Sequence, residues 1–238
     1  MHIEIWSDVV CPWCYIAKRR FERALENFPH RDEVEIVWRS FELDPGAPQR
    51  RPGSYTEALG RKYGMDPERA AASLRRLSDL AAGEDLDLDF GGIQPGNTFS
   101  AHRLLHLAAK RGCQGALKER LLRGYFSEGA AVGDRTVLAG LAGDVGLDAA
   151  EVDRVLGGEE YADHVRADEV AAEELGVTGV PFFLLDRRFA VAGAQETSVF
   201  LSALERAWEK ARSVEMIRAA APGSDTGGAC DGGGSCAG

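Results

Sequence analysis

Two cysteines separated by two residues, in Val10-Cys11-Pro12-Trp13-Cys14-Tyr15, are the residues of this 238-residue chain best suited to chemistry. On one helical turn, side chains three apart lie on the same side, so the two sulfurs can join and separate as a disulfide. Three other chemistries use the same spacing. A zinc half-site needs a second ligand pair, a structural disulfide suits an exported chain, and two packed thiols need no role at all. The context favours a redox-active dithiol, because the pair falls where a strand hands over to a helix.

That handover is legible from the flanking residues. Ile3, Ile5 and Val9-Val10 are β-branched, with Glu4 and Trp6 between them, so residues 2–7 read as a strand. Pro12 suits the first turn of a helix, where its missing N–H costs nothing. Cys11 therefore stands at a helix N-terminus, with unsatisfied N–H groups and the positive dipole end facing its sulfur, and thiolate is favoured over thiol. Ile16, Ala17, Arg20, Phe21, Ala24 and Leu25 continue at helical spacing, giving a helix over residues 12–28 closed by Phe28-Pro29. Val34, Ile36 and Trp38 then alternate with charged residues as a second strand. The opening is βαβ, with the dithiol at the C-terminal edge of its strand.

From Asp44-Pro45 to about Glu159 no strand pattern occurs and helix punctuation is dense. Asp66-Pro67-Glu68 is a cap followed by proline at the first helical position. Asn97-Thr98 precede the apolar run from Phe99, Asp134 precedes Val137 and Leu138, and Asp148-x-x-Glu151 has the form of a capping box. An all-helical insertion over residues 46–164 follows. Strand character returns at 180–185 and 189–191, with Asp186-Arg187-Arg188 as a tight connection. Residues 197–212 close the fold as an amphipathic helix. The fold class is α/β, with the order β-α-β, helices, β-β-α. Residues 1–45 and 165–213 then form one unit, 46–164 the helical insertion, and 214–238 a flexible Gly-rich tail carrying Cys230 and Cys236.

Apolar residues make up 45% and charged residues 28% of the chain, which excludes disorder for most of it, and no apolar run reaches the ~20 residues of a membrane helix. The formal net charge of −10 disfavours non-specific binding to nucleic acid or anionic membrane. Met1 leads almost directly into a strand, with no visible export signal, and cytoplasmic residence is the expectation.

Several motifs together carry a resemblance to a known family: Cys11-Pro12-Trp13-Cys14, Phe41-Glu42-Leu43-Asp44-Pro45, Asn97-Thr98-Phe99-Ser100-Ala101-His102-Arg103, Gly176-Val177-Thr178-Gly179-Val180-Pro181-Phe182-Phe183 and Gly193-Ala194-Gln195. They span about residues 2–212, and the chain resembles the DsbA family of thioredoxin-fold thiol-disulfide oxidoreductases, in its cytoplasmic FrnE-like branch. The resemblance implies a thioredoxin fold with a helical insertion, an exposed nucleophilic Cys11, a resolving Cys14 and a cis bond before Pro181. It implies a substrate groove lined by Pro12, Trp13, Val180 and Pro181, where Val180 offers its backbone to an extended chain. The Asn97 to Arg103 segment would border that groove, placing Asn97 and His102 near the thiolate or the substrate. Trp13 replaces the histidine of the best-known periplasmic relatives and brings no positive charge, so the Cys11 pKa is expected between ~3.5 and ~7, the span of DsbA and thioredoxin.

The implied activity is thiol-disulfide exchange on protein or small-molecule disulfides through a mixed disulfide. No cofactor beyond the redox-active disulfide is needed, although glutathione could serve as co-substrate, and a redox partner of unknown identity must reset the pair. In a reducing cytosol, reduction or isomerisation is easier to sustain than net oxidation. Cys230 and Cys236 could relay electrons to the motif on a flexible tail, could bind metal, or could have no role. Cys113 reads as a small packed thiol. His102 and His106, four apart, lack a third ligand, so no metal site is assigned. Asp8 could act on the thiolate or merely cap a turn. Two other functions share this architecture: glutathione-dependent enzymes of the kappa transferase and 2-hydroxychromene-2-carboxylate isomerase type, against which the retention of both cysteines argues, and a holdase that binds unfolded chains without turnover.

Overall fold

The computed structural model describes residues 1–219, with side chains over residues 1–211. Cys230 and Cys236, read above as a possible electron relay, lie outside the described residues. Four strands form one sheet in the order β2-β1-β3-β4. Strand β1 (His2–Ser7) runs parallel to β2 (Glu35–Ser40), from His2 opposite Glu35 to Ser7 opposite Ser40. Helix α1 (Pro12–Glu26) crosses between them and ends two residues before Phe28, with Asn27 as its C-cap. On the other side of β1 lies antiparallel β3 (Phe182–Leu185), followed by antiparallel β4 (Phe189–Ala192). The strand expected from Val180 starts at Phe182, because Pro181 has no N–H to give to the ladder.

Strand β1 is central and buried on both faces. Ile3 and Ile5 pack with Phe21, Phe183, Phe200 and Leu204 under α1 and the closing helix α9 (Thr197–Ala219). Helix α9 runs past the Arg212 end read from the sequence. Trp6 on the opposite face packs with Ala172, Val177 and Leu184. Each fully buried large apolar side chain contributes about 1.5–3 kcal/mol. At the β3–β4 turn, Asp186 and Arg187 both adopt positive φ (47° and 53°), uncommon for residues with a Cβ. Their side chains compensate: Asp186 Oδ1 accepts the His2 N–H at 2.7 Å, and Arg187 Nε donates to Glu4 at 2.8 Å.

Between β2 and β3 come α2 (Tyr55–Tyr63), α3 (Pro67–Ala82), α4 (Phe99–Lys110), α5 (Gln114–Ser127), α6 (Arg135–Gly143), α7 (Ala149–Gly157) and α8 (Ala162–Glu174). Asp66, Asp134 and Asp148 cap α3, α6 and α7 as their sequence positions suggest. Helix α2 begins in a reciprocal capping box between Ser54 and Glu57, a signal present in the sequence and overlooked there. The helices build their own core around Leu104, Leu117, Leu121, Phe126, Leu138 and Val155, and Val9, Tyr15 and Ile16 from the motif region join it. Helix α1 therefore presents Tyr15 and Ile16 to the helices and Ala17 and Phe21 to the sheet, and the motif sits where the two cores meet. Among the described residues no helix is long and apolar enough to cross a membrane.

Candidate active site

Cys11 is the N-cap of α1, with extended backbone (φ −95°, ψ 111°), and Pro12 occupies the first turn. The Cys14 N–H donates to the Cys11 carbonyl at 3.1 Å, so one turn of helix carries both free thiols. The Val180–Pro181 peptide is cis, and the Val180 carbonyl lies 3.7 Å from Cys11 Sγ. Trp13 projects outward and is 45% exposed, while Pro12 is buried.

The surroundings of the sulfurs differ from the sequence expectation in two respects. Cys11 is only 4% exposed, not an open thiol, and the Val180 carbonyl lies against it. The two thiols are also shifted in opposite directions. Cys11 is pushed well above the usual thiol range by its hydrogen bond with Cys14, by burial and by the Cys14 and Asp8 charges. Burial opposes ionisation of Cys14 as well, yet its pKa is lowered by the Cys11 hydrogen bond, the Lys118 ammonium, the Ser7 hydroxyl and the Asp8 backbone N–H. The low Cys11 pKa expected from the helix N-terminus is thus not reproduced: Cys11 is shifted up and Cys14 down.

Lys118 on α5 is fully buried, its Nζ donating to the Ser7 carbonyl at 3.2 Å and lying 5.5 Å from the Trp38 ring centre. Burial brings its pKa down to about 8, against the opposing pull of the Cys14, Asp8 and Cys11 charges. Asp8 is also fully buried: its Oδ2 accepts the Leu43 N–H at 2.8 Å, and its Oδ1 is 3.2 Å from His102 Nε2. Burial would raise the Asp8 pKa, but His102, the Leu43 N–H and Lys118 hold it below the usual carboxylate range. A carboxylate, an imidazole and an ammonium would be costly here singly; as partners of one another and of the thiols they are tolerated.

Not every residue expected at the groove reaches it. His102 is completely buried and meets Asp8, so it approaches the dithiol from behind and cannot touch a substrate. Asn97 is committed to the chain: its amide donates to Ala47 O at 3.2 Å and its Oδ1 accepts the Phe99 N–H at 2.9 Å. His106 faces another way, toward Ser40 Oγ at 3.1 Å and Asp168 at 3.2 Å, so the two histidines share no ligand. Among the described residues no group of three His, Cys, Asp or Glu side chains could hold a metal. Cys113 is half-buried at the N-cap of α5. Lys118 escaped the sequence reading, although Gln114, Lys118, Leu121, Leu122 and Tyr125 follow helical spacing, and a cation on such an apolar stripe is a signal.

A model of the DSBA-like thioredoxin domain matches residues 2–205. The uncharacterized protein YwbO of Bacillus subtilis (strain 168) is 30% identical over 207 residues, covering 86% of this chain and 96% of YwbO. The crystal structure of a probable DsbA oxidoreductase from Streptomyces coelicolor is 50% identical, with a TM-score of 0.85 over 88% of this chain and 91% of that one. The cytosolic disulfide reductase DsbM from Pseudomonas aeruginosa shares the fold alone, at 19% identity and a TM-score of 0.55 over 92% of this chain and all of that one. A paired thiol at a strand-to-helix junction, a cis-proline carbonyl against it, and sequence likeness across nearly the whole described chain lead to one assignment: the chain belongs to the DSBA-like thioredoxin domain family.

Proposed function

We propose that the protein is a thiol-disulfide oxidoreductase that works through Cys11 and Cys14 by way of a mixed disulfide. The observation that supports this most is the placing of two free thiols on a single helical turn, beside the Val180 carbonyl of a cis Val180–Pro181 bond. Passage of the Cys11 proton to Cys14 makes Cys11 the nucleophile. Cys11 then attacks one sulfur of the substrate disulfide, forming a Cys11–substrate bond and expelling the other sulfur as thiolate. Cys14 gives its proton to the expelled thiolate, attacks Cys11, forms the Cys11–Cys14 disulfide and releases the second substrate sulfur as thiolate. The enzyme loses two electrons and the substrate gains two, so turnover needs a thiol reductant to restore the dithiol.

Substrate reaches Cys11 along the edge formed by Val180 and Trp13, where an extended chain can pair with backbone and rest on the exposed indole. Lys118 and Asp8, behind the sulfurs, set the charge on Cys14. In a reducing compartment the pair rests as dithiol, and reduction or isomerisation is the sustained direction. Insulin reduction with dithiothreitol as electron source tests the assignment. Cys11→Ser is expected to abolish turnover, and Cys14→Ser to accumulate a mixed disulfide visible by mass spectrometry. An undiminished rate in Cys11→Ser would refute the mechanism.

A further inference from the structure

Residues 50–82, which hold α2 and α3, carry seven Lys and Arg against four Asp and Glu, a net charge of +3, while the rest of the chain carries 21 against 34, a net charge of −13. The steps above make no use of this basic segment. Among the described residues, its cations Arg50, Arg61, Lys62, Arg69, Arg75 and Arg76 are exposed and have no carboxylate partner, and only Arg51 is paired, with Asp44. Elsewhere most guanidiniums are paired, as Arg20 is with Glu84, Arg111 with Glu151 and Arg166 with Glu42. Two of the segment's acids are engaged in capping, Glu57 in the box with Ser54 and Asp66 on the Arg69 N–H. A groove of about 660 Å³ runs along the same helices, lined by the apolar side chains of Leu74, Leu88 and Phe90 and by Arg75 and Arg76. Asp79 and Asp89 also line it, and Asp89 Oδ1 already accepts the Gly91 N–H at 2.9 Å. Tyr63 at the end of α2 and Leu80 on α3, 59% and 46% exposed, add open apolar surface.

We infer that the outer face of the α2–α3 hairpin docks an acidic segment of a partner polypeptide, whose carboxylates meet the unpaired cations and whose apolar side chains enter the groove. Arginine and tyrosine around an apolar centre are the composition of protein–protein interfaces. Arg69 and Arg76, seven residues apart on α3, stand about 10 Å apart along the helix axis, and Arg61 and Lys62 lie on the neighbouring helix, so the cations spread over more surface than one small ligand bridges. A long polyanion such as nucleic acid would run past the hairpin onto a chain that is otherwise strongly acidic, whereas a short acidic stretch of a partner needs the hairpin alone. Complementarity of this kind sets encounter rate and register as well as affinity. No residue of the Cys11–Cys14 turn or of the Val180–Pro181 edge lines the groove, so this surface is separate from the one that carries the chemistry.

The test measures fluorescence anisotropy of a fluorescein-labelled Glu-Leu-Glu-Glu-Phe-Glu-Glu-Leu-Glu peptide, free of cysteine, titrated with the full chain at low salt. The wild-type chain is expected to bind it, and to bind the version with glutamine at every glutamate at least about tenfold more weakly. The variant Arg69→Gln/Arg75→Gln/Arg76→Gln, all on the exposed face of α3, is expected to lose about tenfold in affinity for the acidic peptide, as removal of three surface ion pairs requires. The same charge removed elsewhere, by Lys110→Gln/Arg188→Gln/Lys210→Gln, is expected to change the affinity less than about twofold. Equal losses in the two triple variants would mean attraction to net charge alone and overturn the docking surface, as would an acidic peptide that the wild-type chain does not bind. Tighter binding of a labelled oligothymidylate than of the peptide, lost in the α3 variant, would assign the face to nucleic acid and overturn the polypeptide partner. Self-association of the wild-type chain in sedimentation velocity, abolished in the α3 variant, would assign it to a second copy and do the same. Because the readout is binding of a peptide without sulfur, failure of the Cys11–Cys14 chemistry leaves it untouched, and the two readings fail separately.

Discussion

A buried lysine normally sheds its proton, and Lys118 is drawn down to about 8 by loss of hydration while the charges of Cys14 and Asp8 oppose the loss. Below that value its ammonium helps to lower the pKa of Cys14. Lys118→Met, a replacement of similar length, removes the charge and keeps the packing. The ionisation of the dithiol is expected to move up by about one pH unit, or ~1.4 kcal/mol, in a titration of ultraviolet thiolate absorbance. Asp8→Asn acts in the opposite direction at Cys11, because the Asp8 charge is among the causes that raise that thiol. If neither substitution moves the titration, these buried groups do not set the charge of the pair.

Strand pairing carries a second buried charge. Glu4, on the central strand and 1% exposed, accepts from Arg39 Nη2 of β2 at 2.6 Å and from Arg187 Nε of the β3–β4 turn at 2.8 Å. Burial raises its pKa, but the two arginines outweigh that effect and hold the carboxyl below its ordinary 4.5. A carboxyl with a depressed folded pKa adds stability that is complete above its unfolded value and is lost as pH falls through the folded one. Glu4→Gln should therefore cost about 1.5–3 kcal/mol at neutral pH, since Arg187 loses its carboxylate partner and Arg39 keeps only Asp168. Urea unfolding should show the gap between wild type and variant closing as pH drops below 4.5. A gap that is constant across this range would show that the carboxylate adds nothing as an ion.

At the scale of the whole molecule, α1 belongs to two cores at once, with Tyr15 and Ile16 in the helical layer and Ala17 and Phe21 in the sheet layer. Loosening of either layer must disturb the helix that holds the thiols. Leu104 is fully buried in the helical core, and Leu104→Ala should cost about 2–5 kcal/mol. Because α1 is shared, far-ultraviolet circular dichroism and the fluorescence of tryptophans such as Trp6 and Trp38 on the sheet side should shift together in one transition. Two separated transitions would mean that the layers unfold independently.

The sequence determined what short-range physics governs. The Cys11-Pro12-Trp13-Cys14 turn, the alternating strands and the aspartate-capped helices are each written within a few consecutive residues, where side-chain spacing and missing N–H groups act directly. Even there α2 was overlooked, although Ser54 and Glu57 carried its capping signal. The opposite shifts of the two thiols were decided only in three dimensions, because Asp8, His102 and Lys118 come from three separate elements and act through burial and distances of a few ångströms. The same holds for the seclusion of His102 and the engagement of Asn97 by its neighbouring loop. Residue order states which groups exist. Coulomb interaction and desolvation depend on separation and solvent access, and these exist only once the chain has closed on itself.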